Sequence, residues 1–253
     1  DDLPLGIYRF IQKQDKIYAR TLEHPVIESL KDEIDFESFD DIYEANEQFD
    51  AVYDNIVEQL INKAQQSNIV YAVPGHPRVV ETTTAKLMAY HAQNDDIEVK
   101  VLGGKSFIDD VFEAVAVEPN DGFTLLDGTA LEESKLNVRT NTLITQVYSA
   151  MVAADIKLTL MERYPDDHMV KIVTGARSGD AQVTECPLFE LDHFDTTFNN
   201  LTSVFVPKIV ADESLYNDFN FAEQTIDLLV DDEKGCPWDK VQTHQTLKRY
   251  LLE

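Results

Sequence analysis

The run Ile69-Val70-Tyr71-Ala72-Val73, closed by Pro74, constrains the fold more than any other stretch of the chain. It is almost wholly apolar, and its length and β-branched content suit a strand buried on both faces of a parallel sheet. Ahead of it, Phe49, Val52, Tyr53, Ile56, Val57, Leu60, Ile61 and Ala64 recur at helical spacing and give residues 49–66 one apolar face. Such a helix must lie on a sheet, and the pairing predicts an α/β fold with crossover helices.

The same alternation predicts helices over 5–11, 24–31, 79–93 and 107–115, and strands over 16–21, 36–39 and 97–102. Polar turn formers at Glu118-Pro119-Asn120-Asp121-Gly122 interrupt it. Beyond them, strands are expected over 123–127, 142–147, 169–173, 181–190 and 201–207, with a helix over 150–163. Strands that follow one another without a helix imply a mixed sheet. The chain is therefore divided into a first α/β unit over 1–118 with a parallel sheet, a second over 119–210 with a mixed sheet, and an acidic tail over 211–253. In that tail, Phe221, Thr225, Leu228 and Leu229 form a short amphipathic piece assigned to a further domain, and residues 1–210 carry the two main units.

Composition narrows the partners. With 47 acidic against 21 basic residues, the net charge is -26, which argues against a nucleic-acid backbone as ligand. The 43% apolar content suffices for a sizeable core. No apolar run approaches the about 20 residues that span a bilayer, and the opening Asp1-Asp2-Leu3-Pro4 is no signal peptide. Cys186 and Cys236 stand far apart and form neither a CxxC site nor a disulfide framework, so a reduced, cytoplasmic protein with a small-molecule ligand is expected.

Two loops are candidates for ligand chemistry. Val73-Pro74-Gly75-His76-Pro77 follows a buried strand, where ligands bind in open α/β sheets; a plain strand-to-helix turn fits the same residues. Gly103-Gly104-Lys105-Ser106 follows the next expected strand, and its two glycines could form an anion-accepting nest. It lacks the first glycine of the Walker spacing, and Ser106 can serve simply as a helix cap. His24 begins a helix, His91 lies on one, and His168 and His193 fall on loops, none with a cysteine or carboxylate at metal-ligand spacing. Asp40-Asp41 and Asp166-Asp167 read as solvated turns.

The ordered set Asp2-Leu3-Pro4-Leu5-Gly6-Ile7, Val73-Pro74-Gly75-His76-Pro77, Gly103-Gly104-Lys105-Ser106-Phe107, residues 142–148 and 170–176, and Asn199-Asn200-Leu201-Thr202 resembles the tetrapyrrole methylase family. The resemblance covers nearly all of residues 1–210. It implies two α/β domains with S-adenosylmethionine folded in the cleft between them. Cofactor contacts are implied at Gly75, His76, Val79, Lys105 and Ser106 from the first domain, and at Val147, Ala176 and Thr202 from the second. No side chain in that set is an obvious general base. His76 stands where many members have aspartate, which suits a rival role as a ligand-sensing module without methyl transfer. The family pattern also implies a strand and glycine-rich turn upstream of Asp1, and a homodimer.

The closing stretch Gly235-Cys236-Pro237-Trp238-Asp239-Lys240-Val241-Gln242-Thr243-His244, ending in Tyr250-Leu251-Leu252-Glu253, resembles the entry to a MazG-type nucleoside triphosphate pyrophosphohydrolase domain. The family pattern GCPWDxxQTHxxLxxYLLEExxE continues into further acids, of which Glu253 is the first. Mg²⁺ over a triphosphate needs several carboxylates, so the resemblance implies an incomplete metal site at Glu253 and hydrolysis only in a longer chain. Together the two resemblances point to the YabN-like fusion of a methylase-type and a MazG-type domain.

Overall fold

A computed structural model describes residues 3–45, 49–176, 181–194, 198–210, 215 and 218–251. The chain divides into two compact units, Asp1–Asp109 and Asp110–Glu253.

The first unit runs α1 (Leu5–Ile11), β1 (Ile17–Ala19), α2 (Pro25–Leu30), β2 (Glu37–Ser38), α3 (Asp40–Ala45), α4 (Phe49–Ala64), β3 (Val70–Ala72) and α5 (Thr82–His91). Its sheet has the order β2-β1-β3, and both pairings are parallel. Successive strand residues point to opposite faces, so central β1 sends Ile17 into one cluster with Ile11 and Ile34. Tyr18 enters a second with Phe39, Ile42, Val52, Ile56, Leu60 and Leu87. The apolar face of α4 anchors that second layer, as its periodicity required.

Three expectations need correction here. The fully buried strand is β1; Val70, Tyr71 and Ala72 do pack toward both clusters but remain half-buried, because β3 pairs with β1 alone among the described residues. Residues 97–102 join no sheet: their apolar alternation finds no ladder partner among the described residues. The expected turn at Asp40-Asp41 opens α3 instead, with Asp40 Oδ2 accepting from the Leu22 N–H at 2.9 Å. Burial works against that carboxylate's charge, yet the Leu22 N–H and the Thr21 and Ser38 hydroxyls hold its pKa below the usual value.

The second unit holds the greater part of α6 (Phe107–Val115), then β4 (Phe123–Asp127), β5 (Asn141–Thr145), α7 (Ala150–Met161), β6 (Met169–Thr174), β7 (Gln182–Pro187), β8 (Thr202–Val206), α8 (Phe219–Val230) and α9 (His244–Leu247). Its sheet has the order β4-β5-β8-β6-β7. Among the described residues only β4 and β5 pair in parallel, which makes the sheet mixed, as expected. Ser149 caps α7 by accepting from the Val152 N–H at 3.3 Å. Ala153, Ile156 and Leu160, spaced three and four apart, bury one face of α7 in the core with Ile144, Val170, Ile172, Leu188 and Val204.

The acidic segment after 210 also differs from expectation at its start. Leu215 belongs to the second unit's core and Phe221 packs against it, while Arg139 Nε sits 3.2 Å from the buried Asp218 carboxylate that caps α8. The head of α8 is thus part of the second unit. Its later apolar residues Ile226, Leu228 and Leu229, like Trp238 beyond the helix, are exposed.

Two measurements check this packing. Leu160 is fully buried, so Leu160→Ala should cost about 2–5 kcal/mol in urea unfolding. His168 Nε2 lies 2.8 Å from the Pro207 carbonyl, so Nε2 carries the proton and donates. Burial lowers its pKa from 6.5, only partly offset by Pro207 and Asp167, so the folded state holds it neutral where the unfolded chain begins to protonate. That contribution is complete above pH 6.5 and lost as pH falls through the depressed folded pKa. His168→Gln, which retains a donor, should flatten the decline of stability below pH 6.5 in pH-dependent urea titrations.

Candidate functional site

The carboxyl end of β3 leads into the loop of residues 74–80, and two backbone features shape it. Gly75 has φ +76°, which a side chain rarely tolerates. Val80 has φ +54°, a conformation that costs a β-branched residue energy. Between them His76 folds the loop on itself: its Nδ1 accepts from the Arg78 N–H at 3.1 Å and its carbonyl from the Val79 N–H at 3.0 Å. The expected helix over 79–93 therefore begins only at Thr82, after Val80 has turned the chain and Glu81 has entered as its N-cap.

The loop of residues 103–106 lies against this one. A Cβ added to Gly104 would stand 2.9 Å from the Gly75 carbonyl oxygen, and one on Gly75 3.7 Å from the Lys105 carbonyl oxygen. The first position demands glycine by close approach of two backbones. Neither Gly103 nor Gly104 has a positive φ, so the alternating nest expected there does not form. Ser106 caps α6: its Oγ accepts from the Ile108 N–H at 3.2 Å, and Asp109 Oδ2 accepts from the Ser106 N–H at 3.1 Å. Gly75, His76, Val79, Lys105 and Ser106 thus occupy two adjoining loops. His76 and Gly103 also border a depression of about 600 Å³, together with Arg78, Met88 and residues 98–101.

In the second unit, Val147, Ala176 and Thr202 meet at one end of the sheet. The Val147 N–H donates to the Thr202 carbonyl at 3.3 Å, and Thr202 pairs in register with Thr174, two residues before Ala176. Thr202 Oγ1 accepts from the Asn199 N–H at 3.0 Å. All three side chains are buried. Gln146, at φ +62°, ends β5 one residue before Val147 and turns the chain toward this group. Glu253 lies outside the described residues, among which no group of three or more His, Cys, Asp or Glu could hold a metal ion. No helix among them is long and apolar enough to cross a membrane.

Sequence reasoning overlooked the side chains behind the first loop. Arg20, just past β1, reaches Glu81 at 2.9 Å, and the Glu81 side chain is only 3% exposed. Burial opposes the charge on Arg20, but Glu81 overrides it and raises the guanidinium's pKa. Burial likewise raises the Tyr71 and Tyr43 phenols, with Glu81 adding to the effect. A lone acid after Val79-Val80 and a lone base ending an apolar strand were the available signals.

The loop after β3 and the loop before α6, joined through bare backbone, on a parallel sheet followed in the chain by a mixed one, describe an α/β protein with a candidate ligand site on its first unit. The model of the tetrapyrrole (corrin/porphyrin) methylases matches residues 1–192, and the chain belongs to that family. An uncharacterised protein, YabN, of Bacillus subtilis (strain 168) is 44% identical over 254 residues, an alignment covering 100% of this chain and 51% of that protein. The chain thus spans about half the length of the curated relative it matches.

Among solved structures, a diphthine synthase has a TM-score of 0.60 at 15% identity, with 82% of this chain and 84% of that one covered. The cobalt precorrin-4 methyltransferase CbiF has a TM-score of 0.60 at 11% identity, covering 81% and 88%. The methyltransferase CobJ has 0.59 at 11%, covering 82% and 89%. At these identities the likeness is one of fold.

The two glycines of the second loop separate close approach from mere flexibility. Gly104→Ala should lose about 1–3 kcal/mol in urea unfolding, because a rigid carbonyl stands where the methyl would go. Gly103→Ala, whose nearest neighbour is His76 Nε2 at 3.8 Å, should stay within about 1 kcal/mol of the unmodified protein.

Proposed function

We propose that this chain binds S-adenosylmethionine and acts as a methyltransferase of the tetrapyrrole methylase family. One observation carries the reading: in a chain of this family, the loop after β3 and the loop before α6 meet through glycine backbone, Gly104 against Gly75. The residues fit such a ligand. A Cβ on Gly75 or Gly103 would meet nothing nearer than 3.7 Å, so the backbone there is open to close approach. When bound, the cofactor supplies an electrophilic methyl group on a sulfonium centre. Gly75, His76, Val79, Lys105 and Ser106 would hold it from the first unit, and Val147, Ala176 and Thr202 from the second. Their work is alignment, on which an in-line displacement chiefly depends. The methyl acceptor is a small molecule, and neither nucleic acid nor membrane is a partner, in keeping with the net charge of -26. We place the protein in the cytoplasm as a homodimer.

His76 favours a second reading, in which the chain senses a ligand without transferring a methyl group. Its ring is already engaged by the Arg78 N–H and shapes the loop, whereas the aspartate of many family members would offer a fixed charge. We further propose that residues 235–253 open a MazG-type domain, fused in a longer protein. Mg²⁺-dependent pyrophosphate release from nucleoside triphosphates would then need acids besides Glu253.

S-Adenosylmethionine at about 100 times its dissociation constant should stabilise the protein by about 2.7 kcal/mol, read as a rise in melting temperature. Gly75→Val should abolish the shift, since φ +76° strains a branched residue and the side chain would stand in the ligand's place. No shift and no calorimetric heat at millimolar ligand rejects the reading. Binding without turnover across candidate acceptors selects the sensing role.

A further inference from the structure

The feature that the cofactor reading leaves unused is the buried polar cluster behind the loop of residues 74–80. Glu81 is 7% exposed, and only its Oε2 is satisfied, by Arg20 Nη1 at 2.9 Å. Glu81 Oε1 is buried without a hydrogen-bond partner among the described residues. A carboxylate taken out of water and held through one oxygen depends on that single partner for its place. Arg20 is itself fixed: its backbone N–H donates to the Ala72 carbonyl at 2.8 Å, the last residue of β3, and its guanidinium lies 6.0 Å from the centre of the Tyr43 ring. The pair therefore ties the end of β1 to the start of α5, and the loop of residues 74–80 spans the interval from β3 to that point.

Val80 shows what the tie does. Its φ of +54° is costly for valine, and its side chain is 40% exposed, so its own packing does not impose the conformation. The constraint must come from its neighbours. On one side His76 closes a turn through the Val79 N–H; on the other Glu81 is pinned to Arg20. We propose that Glu81, gripped by Arg20, is a positioning residue for the cofactor loop: the ion pair forces Val80 into the left-handed region and so sets Gly75, His76 and Val79 for the ligand. The role rests on the S-adenosylmethionine reading for its ligand, but not for its structural cause.

The test uses the 253-residue chain with S-adenosylhomocysteine as calorimetric probe. Glu81→Gln keeps the shape and removes the charge, and should weaken binding roughly tenfold, the scale set by one strained residue. Adding Val80→Gly should restore much of that loss, because glycine adopts a positive φ unforced. A merely structural role predicts a lower melting temperature with unchanged affinity and no rescue. Unchanged affinity in a folded Glu81→Gln protein overturns the proposal.

If the unmodified chain takes up no S-adenosylhomocysteine, the cofactor reading falls by itself. The positioning role is then decided by amide hydrogen exchange at Val79. Faster exchange in Glu81→Gln, with Ile172 of the second unit unchanged, supports it; equal exchange at Val79 overturns it. Should Glu81→Gln fail to fold, Arg20→Lys keeps the charge but gives up the planar fork, and its Val79 exchange is read the same way.

Discussion

Strand β8 is hydrogen-bonded on both sides, to β5 and to β6, and all five of its residues are buried. The mixed sheet depends on it, because it joins the parallel pair β4–β5 to the hairpin β6–β7. Its apolar residues Val204 and Val206 enter the same core that α7 covers, so ladder and packing strengthen each other at one place. Its first residue, Thr202, also receives the Val147 N–H and the Asn199 N–H. The strand that holds the sheet together thereby fixes the group of backbone atoms that the second unit brings to one end.

The first unit is built on shorter elements. The three strands among its described residues contribute three, two and three residues, so side-chain burial must supply what the ladders do not. Central β1 answers this by burying all three of its residues, with Ile17 and Tyr18 serving different clusters. The candidate loops, one following β3 and one preceding α6, contribute no residue to either cluster. Their shape comes from local devices instead: two residues at positive φ, a histidine accepting from the backbone, a serine cap and a buried ion pair.

Much of this was legible in the chain. Periodicity located α4, and apolar runs located β1, β4, β6 and β8, because in each case the pattern is made by burial and burial follows the period of the element. The mixed character of the second sheet followed from strands without intervening helices. What failed was what pattern does not encode. Residues 97–102 carry a strand's alternation, but a strand exists only with a partner, and pairing is a property of the whole fold. The nest at Gly103-Gly104 failed because glycine permits a positive φ without requiring one. Arg20 and Glu81 are far apart in sequence, so neither residue advertises the other. The acidic surroundings of Phe221 hide in the sequence its contact with the second unit's core.

The touching of Gly104 and Gly75 binds two distant stretches of sequence into one unit of variation. A side chain at Gly104 displaces the Gly75 carbonyl, so effects at the two sites will not add, and what is tolerated at Gly104 depends on the course of the backbone at Gly75. Divergence in this region is thus confined to paired changes: the loop after β3 can alter its course only if the loop before α6 moves with it.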